Sequence, residues 1–138
     1  MSLPNPIPLP AAQSSPATRF LGTEVLALNV EKGSARFRFQ GRPEFLNMLG
    51  HVQGGFVAAM LDEAAGLTAR LVSPIGLVVP SLNFHVTFIW PVPSGPVLAN
   101  GRCLRVGGRV AFLEAELIDH DEQLLSLIQV TSLAVRKT

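Results

Sequence analysis

Residues 47–66 hold most of the groups in this sequence that could carry out a reaction. A polar loop ends there at the pair Gly54-Gly55, and an apolar segment follows that carries Asp62 in its middle. If this segment is a helix, the glycine N–H groups lie at its positive end and have no acceptor within the helix. Such groups can stabilise an oxygen that becomes negative during a reaction. An N–H donor of this kind together with a carboxylate favours the hydrolysis of an acyl group.

A helix is predicted over residues 54–72, because apolar residues recur there at the three- and four-residue spacing of one helix face. The dipeptide Ser73-Pro74 then ends the helix. The segment is apolar on nearly all sides, so we expect it to be buried on most of its faces. The main stripe consists of Phe56, Met60, Ala64, Leu67 and Leu71.

The rest of the chain predicts an antiparallel sheet. Residues 20–31 and 34–40 form two paired strands around the turn Lys32-Gly33. Four further strand segments follow the helix, at residues 77–90, 97–106, 109–119 and 123–136. One helix against one antiparallel sheet is an α+β arrangement. A single helix cannot cover both faces and both edges of such a sheet, so we expect the chain to associate with copies of itself.

Composition narrows the classes of function. The chain has 138 residues, of which 48% are hydrophobic and 15% charged, and its net charge is +1. The length fits one domain, and the balanced charge favours neither a nucleic acid nor an acidic membrane surface as a partner. No run is long and apolar enough to span a bilayer, and the first residues lack the features of a signal peptide, so we expect a cytoplasmic protein.

The N-terminal residues differ in composition from the rest. Residues 1–18 contain five of the eleven prolines, which predicts an extended or disordered arm in front of a single domain at residues 19–138. Such an arm is either a flexible tail or a segment that packs on a partner subunit. The single cysteine, Cys103, is interpreted as a small buried hydrophobe on a strand. The three histidines lie far apart in sequence without metal-ligand spacing, so no metal is predicted.

The motif and the order of the elements resemble the hotdog-fold acyl-CoA thioesterases. The likeness is greatest to the phenylacetate-pathway type, which is related to the hydroxybenzoyl-CoA thioesterases. The family pattern is Asn-x-x-Gly-x-x-His-Gly-Gly, followed by Asp or Glu eight residues after the first glycine of the pair. This sequence matches its spacing with Asn47, Gly50, Gln53, Gly54, Gly55 and Asp62. The resemblance implies a curved antiparallel sheet wrapped around a long helix, in dimers that pair into tetramers.

One position departs from the family pattern. Gln53 stands where the family has histidine, and His51 lies two residues earlier. The amide of Gln53 can still donate a hydrogen bond to a carbonyl oxygen, but it cannot carry a charge. Polarisation of a carbonyl therefore remains available at this position, whereas a proton-transfer role does not.

The resemblance also implies a role for each motif residue. Asp62 would act as general base or nucleophile, and its alternative is a core acid paired with arginine. The N–H of Gly54, assisted by Gln53, would polarise the thioester carbonyl, although a Gly-Gly pair also suits a closely packed helix start. Asn47 would position the attacking water. Gly55 would serve close packing at the substrate.

Further candidates lie outside the motif. Ser81 lies near the point where the resembling enzymes have a Ser or Thr that bonds the catalytic acid. Gly108 and Arg109 belong to a turn where the family often meets the coenzyme, and the arginine could pair with phosphate. His51 lies beside the glycine pair as a loop or interface residue. The alternative for the turn is an ordinary hairpin with surface arginines.

Helix geometry gives an argument that is independent of the family. Residues 54 and 62 of one helix are separated by about 12 Å along its axis, at about 1.5 Å per residue. A group that acts on a carbonyl carbon must lie within about 3–3.5 Å of it, or one water away. If Gly54 and Asp62 act on one carbonyl, they must therefore come from two subunits.

We expect a hydrolase that cleaves an acyl-CoA or aroyl-CoA thioester to the free acid and coenzyme A. Coenzyme A is part of the substrate, so no separate cofactor is expected. A hotdog dehydratase or hydratase is the alternative enzyme, but such enzymes use the histidine that Gln53 replaces. A non-catalytic acyl-CoA or lipid-binding module on the same scaffold is the alternative outside catalysis.

Overall fold

The computed structural model describes residues 5–137, which form two α-helices and eight strands. Short 3-10 turns lie at Ala11–Gln13 and Pro43–Phe45. The helices and strands are, in chain order, α1 Pro16–Phe20, β1 Glu24–Asn29, β2 Ser34–Gly41, α2 Gly54–Val72, β3 Leu77–Val78, β4 Ser81–Phe88, β5 Gly95–Val106, β6 Val110–Ile118, β7 Leu124–Leu133 and β8 Val135–Arg136.

Six of the strands form one antiparallel sheet in the order β1-β2-β5-β6-β7-β4, and β3 pairs with β8 beside it. The long helix α2 packs against the middle of the sheet, chiefly on β5 and β6. This arrangement confirms the predicted α+β hotdog fold. The two edges of the large sheet are β1 and β4, which are far apart along the chain and differ in how they are covered.

The core lies between α2 and the sheet, as the sequence periods predicted. The helix runs over the predicted residues 54–72, and Met60, Ala64 and Leu67 of its stripe are fully buried. In β2 the alternation of buried and half-buried residues has a period of two, and Phe37 and Phe39 are both 0% exposed. The buried face of α2, which repeats every 3.6 residues, therefore packs with the buried face of β2, which repeats every 2 residues, in one apolar core.

The helix approaches β5 most closely at Gly101. A Cβ atom at this position would lie 2.1 Å from Thr68 Oγ1 and 2.7 Å from Ala64 O. Thr68 is itself fully buried and donates its hydroxyl to Ala64 O at 2.7 Å. Only glycine fits between the strand and this turn of the helix.

Three predicted strands differ from the observed ones at their ends. The first, predicted to begin at residue 20, begins at Glu24 because the preceding residues form α1. The segment predicted at 77–90 is divided at Pro80, which has no N–H to donate, so that β3 leaves the sheet and pairs with β8. The segment predicted at 123–136 divides at Ala134 for the same pairing.

The sequence of β4 alternates between apolar and polar residues from Leu82 to Phe88, yet the strand lies at the edge of the sheet and only Val86 is partly buried. The side chains of Leu82, Phe84 and Phe88 are 54%, 46% and 57% exposed. The alternation is present, yet the surface that would bury its apolar side is not supplied by residues 5–137 of this chain.

The described N-terminal residues, from residue 5 onward, make defined contacts with the rest of the chain. Residues 1–4 lie outside the described residues. Ile7 N donates to Val25 O at 2.7 Å, at the outer side of β1. Further on, α1 begins with a capping box between Ser15 and Thr18, and Thr18 Oγ1 donates to Glu63 Oε1 of α2 at 2.9 Å. These contacts are made by single residues rather than by a periodic apolar face.

We predict that Gly101→Ala lowers the free energy of unfolding by about 1–3 kcal/mol, the usual cost of overpacking a core. The reason is the collision of the new Cβ with Thr68 and the backbone of α2. Urea unfolding followed by circular dichroism measures the change. Gly108→Ala is the matched control, because a Cβ there meets nothing within 4 Å. Equal stability of the two variants would contradict the close packing described here.

Candidate active site

The loop in front of α2 is held in shape by Asn47. Asn47 N donates to His51 O at 2.7 Å, and Asn47 Oδ1 accepts from Leu49 N at 2.9 Å and from His51 N at 3.2 Å. Gly50 takes a φ of 80°, which is the left-handed region that favours glycine. These bonds close a compact turn between Asn47 and His51, which holds both residues in fixed positions relative to α2.

A cluster of aromatic rings supports this loop. Phe45 is 1% exposed, and its ring stacks on that of Phe56 with centroids 4.2 Å apart and planes inclined by 11°. Phe20 packs on the other side of Phe45 at 5.3 Å, and the guanidinium of Arg42 lies over the Phe20 ring. Sequence reasoning missed this cluster, since its members come from three separate elements and share no period.

The start of α2 offers an unused N–H group. Gln53 is the N-cap residue, and its carbonyl accepts from Phe56 N at 2.9 Å and from Val57 N at 3.0 Å. The N–H of Gly54, the first residue of the helix, donates to no acceptor within residues 5–137. The exposed Gln53 side chain makes no capping bond, so its amide is also available.

A cleft of about 340 Å³ opens at this point and collects three predicted site residues. Asn47, His51 and Gly54 line it together. A Cβ on Gly54 would lie 3.3 Å from Phe88 Cζ, so the glycine lets this ring close one side of the cleft. The remaining wall is apolar and comes from Leu49, Val52, Val57, Phe88, Ile89, Trp90, Pro91 and Val92.

Asp62 lies elsewhere on the same helix and does not line this cleft. Its carboxylate is half-buried, and Oδ1 accepts a hydrogen bond from Ser81 Oγ at 2.8 Å. The sequence analysis named Ser81 for this contact. Ser132 lies directly opposite Ser81 on β7, and its buried hydroxyl has no hydrogen-bond partner among the described residues. The structure therefore contains two separate polar sites on one chain.

The neighbouring acid Glu63 faces another side of α2. It accepts from Thr18 and forms an ion pair with Arg70, whose NH2 lies 3.8 Å from Glu63 Oε1. Arg70 Nε also donates to Gln13 Oε1 at 2.8 Å. This carboxylate is thus engaged by structural partners, whereas among residues 5–137 that of Asp62 is bonded only by Ser81.

The predicted coenzyme turn is linked through backbone hydrogen bonds to the strand that carries Ser81. Arg109 O accepts from Ala134 N at 2.8 Å, and the adjacent Leu133 N donates to Pro80 O at 2.9 Å. These contacts link the β5–β6 turn to the start of β4, where Ser81 holds Asp62. Within residues 5–137 the exposed guanidinium of Arg109 makes no salt bridge.

A second cation at this turn was not predicted. The guanidinium of Arg136 donates to Gly107 O at 3.0 Å and to Gly108 O at 3.1 Å. It therefore fixes the shape of the turn that carries Arg109. The available signal was weak, because Arg136-Lys137 is a short basic pair near the end of the chain.

One further cavity does not belong to this site. It has a volume of about 710 Å³ and lies on the sheet face turned away from α2, where Arg36 and Asn100 are hydrogen-bonded to each other and to glutamates. None of the predicted site residues lines it.

Among residues 5–137 no group of three His, Cys, Asp or Glu could hold a metal ion, and no helix is long and apolar enough to cross a membrane. Burial raises the pKa of the Cys103 thiol, which disfavours the thiolate that a nucleophile requires.

The chain belongs to the thioesterase superfamily, whose family pattern matches residues 49–126. A relative from Saccharolobus solfataricus, provisionally named an esterase, is 30% identical over 101 residues, which are 73% of this chain and 71% of the relative. The fold and the comparisons together confirm the predicted hotdog-fold thioesterase.

Solved structures agree with this assignment. A protein from Ralstonia eutropha JMP134, provisionally named a thioesterase related to phenylacetic acid degradation, superposes with a TM-score of 0.79 at 28% identity and covers 92% of each chain. A protein from Streptococcus mutans UA159, solved with acetyl-CoA bound, has a TM-score of 0.72 over 83% of this chain and 90% of its own. At 18% identity, the second likeness shows the fold alone.

We predict that Asn47→Ala speeds amide hydrogen exchange at Leu49 and His51 by up to about tenfold, since each amide loses a hydrogen bond worth about 0.5–1.5 kcal/mol. Exchange measured by NMR on the labelled protein tests this. Asn47→Asp is the control, because a carboxylate oxygen accepts the same two bonds. Unchanged exchange in Asn47→Ala would contradict the role of this side chain in shaping the loop.

Proposed function

We propose that this protein hydrolyses acyl-CoA thioesters at a site shared by two copies of the chain. The observation that carries the proposal is the separation of the two polar sites along α2. Gly54 with its free N–H opens the helix, and Asp62 follows eight residues later, about 12 Å along the axis. A single carbonyl cannot contact both within one chain, because the acting groups must lie within about 3–3.5 Å or one water of it.

The open edge of β4 supports the pairing of two copies. Ile89 N donates to Leu125 O at 3.0 Å, so by the alternation of an antiparallel ladder Phe84, Val86 and Phe88 direct their own N–H and C=O groups away from β7. The strand from Ser81 to Phe88 contains no proline, lysine or other charged residue that would block a further strand. Its exposed apolar side chains would be buried by a second copy.

Two-fold symmetry then brings the two polar sites together. In an antiparallel pair of β4 strands, the Ser81 end of one strand lies beside the Phe88 end of the other. Ser81 is bonded to Asp62, and Phe88 lies against Gly54 in the same chain. Each pair of copies would therefore form two equivalent sites, with the acid from one copy and the free N–H from the other.

The chemistry follows from these groups. Gly54 N–H and the amide of Gln53 donate to the thioester oxygen and stabilise its developing negative charge. Asp62 of the other copy accepts a proton from a water held by Asn47, and the water oxygen forms a bond to the carbonyl carbon. The carbon–sulfur bond then breaks, and the thiolate of coenzyme A takes up a proton. In a second route, supported by the same geometry, an oxygen of Asp62 bonds to the carbonyl carbon, the carbon–sulfur bond breaks to release the thiolate of coenzyme A, and water then hydrolyses the resulting anhydride.

The two ends of the substrate fit different parts of the surface. An acyl chain or ring suits the apolar cleft beside Gly54, with Gly55 and His51 at its mouth. The phosphates of coenzyme A suit the turn at Gly108 and Arg109, which is linked to the strand that holds the acid. The acetyl-CoA complex of the Streptococcus mutans protein supports the capacity of this fold to hold a CoA ester. No separate cofactor takes part, and a cytoplasmic location suits this substrate.

The alternatives from the sequence lead to different observations. A dehydratase or hydratase would use a histidine where this chain has Gln53, an uncharged side chain. A non-catalytic acyl-CoA or lipid-binding module would bind the same ligands without releasing a thiol. Thiol release from a panel of acyl-CoA substrates separates the thioesterase from both alternatives.

We predict that Asp62→Asn lowers kcat at least about 100-fold, because the amide keeps the shape of the side chain but cannot accept a proton. Thiol release from acyl-CoA measures the rate, and light scattering checks that the oligomer is intact. Glu63→Gln is the control, since it changes the adjacent carboxylate on the same helix. Acyl-CoA binding without thiol release by the wild-type protein would favour the binding module instead.

We predict that Gly54→Pro lowers kcat about 100- to 1,000-fold, because proline removes the N–H that holds the oxyanion. Proline is tolerated at the first position of a helix, and the preceding Gln53 already has the extended φ of −61° and ψ of 144° that proline requires. The added Cβ would lie 3.3 Å from Phe88 Cζ, so this ring must shift slightly, and Gly54→Ala, which adds the same Cβ but keeps the N–H, is the control for that contact. Loss of the fold in this variant would contradict the expectation that proline is tolerated at this helix start.

Mixing the two inactive variants tests the shared site itself. Asp62→Asn and Gly54→Pro, unfolded and refolded together in equal amounts, should recover about one quarter of wild-type activity, because half of the pairs are mixed and each mixed pair has one intact site. Each variant refolded alone is the control. If both residues acted within one chain, the mixture would stay as inactive as its components.

A further inference from the structure

We propose that residues 5–10 form a strand cap that closes the β1 edge of the sheet and confines strand pairing between copies to β4. The cap consists of Asn5-Pro6-Ile7-Pro8-Leu9-Pro10, and its prolines occupy every second position. This inference concerns assembly and rests on the geometry of the β1 edge rather than on the proposed reaction.

The first step is the direction of the backbone groups. Ile7 forms an antiparallel bridge with Val25 of β1, and Ile7 N donates to Val25 O at 2.7 Å. In an extended segment, successive residues direct their N–H groups to opposite sides. Because Ile7 points toward β1, Pro6 and Pro8 point away from it, toward any strand that could approach from outside.

The second step is the chemistry of those outward positions. Proline has no N–H, so Pro6 and Pro8 offer no donor to an approaching strand, and Pro10 continues the same spacing. All three prolines are exposed, and their rings stand where a further strand would have to lie. The inward residue Leu9 is partly buried against the core. The segment therefore binds to the sheet on one side and offers a poor surface for strand pairing on the other.

The third step is the consequence for assembly. A sheet with two open edges can pair β4 with β4 and also β1 with β1, and this alternation continues without limit into a filament. Closing one edge ends the sheet at two copies. The contrast with β4 is direct, since that edge has no proline between Ser81 and Phe88. The β4 edge thus favours pairing with a second copy, whereas the capped β1 edge disfavours it.

The test restores the missing donors. Pro6→Val/Pro8→Val returns two N–H groups to the outer side of the cap, and we expect its mass, measured by size-exclusion chromatography with light scattering, to rise above that of the wild type as concentration increases. Asn5→Val/Leu9→Val is the matched control, because it changes the same segment without adding a donor. We expect this control to keep the wild-type mass.

A third variant separates strand pairing from simple loss of structure. Pro6→Val/Pro8→Lys restores the same donors but adds a lysine, a residue that blocks edge pairing. We expect it to keep the wild-type mass. The proposal is overturned if Pro6→Val/Pro8→Val also keeps that mass, or if either of the other two variants grows to the same extent.

Discussion

The rise of one helix is the constraint on which this account depends. Gly54 and Asp62 lie eight positions apart on α2, and Val57, Met60 and Leu61 between them are buried. A helix packed on a sheet cannot bend enough to bring both ends of such a span onto one atom. In the proposed mechanism the N–H and the carboxylate are therefore two halves of a site, which a second copy of the chain would complete.

Each of these two groups is held in position by its own contacts. Phe45 and Phe56 stack beneath the loop that carries Asn47, so the free N–H of Gly54 has a rigid background. Ser81 fixes one oxygen of Asp62 from the start of β4. Because β4 touches both sites at its two ends, the same strand that offers an edge for pairing also sets the distance between them.

The sequence predicted the parts that follow a period or a motif. The bounds of α2 followed from its apolar stripe, from the glycine pair at Gly54 and from Pro74 at its end. The contact between Ser81 and Asp62 was anticipated from the family resemblance. The alternation in β4 was correct as a pattern but gave no information on whether the apolar side is buried in the same chain, since an edge strand and a central strand can have the same sequence period.

Other parts depend on contacts that no local pattern records. The aromatic cluster around Phe45 joins three elements, and the hydrogen bonds from Arg136 to the turn before Arg109 span 28 and 29 positions of the chain. The sequence predicted an extended or disordered N-terminal segment because its prolines interrupt both the period of helices and the period of strands. Their spacing of two was the available signal, and its meaning became clear only when Ile7 was found bonded to Val25.

The most direct measurement of the central claim is a crystal structure of the protein with an unhydrolysable acyl-CoA analogue. The account predicts the carbonyl oxygen of the analogue within about 3 Å of Gly54 N of one copy, and its carbonyl carbon within about 3–3.5 Å, or one water, of the Asp62 carboxylate of another. An analogue bound with both groups from a single chain, or with Asp62 of every copy facing bulk solvent, would contradict it.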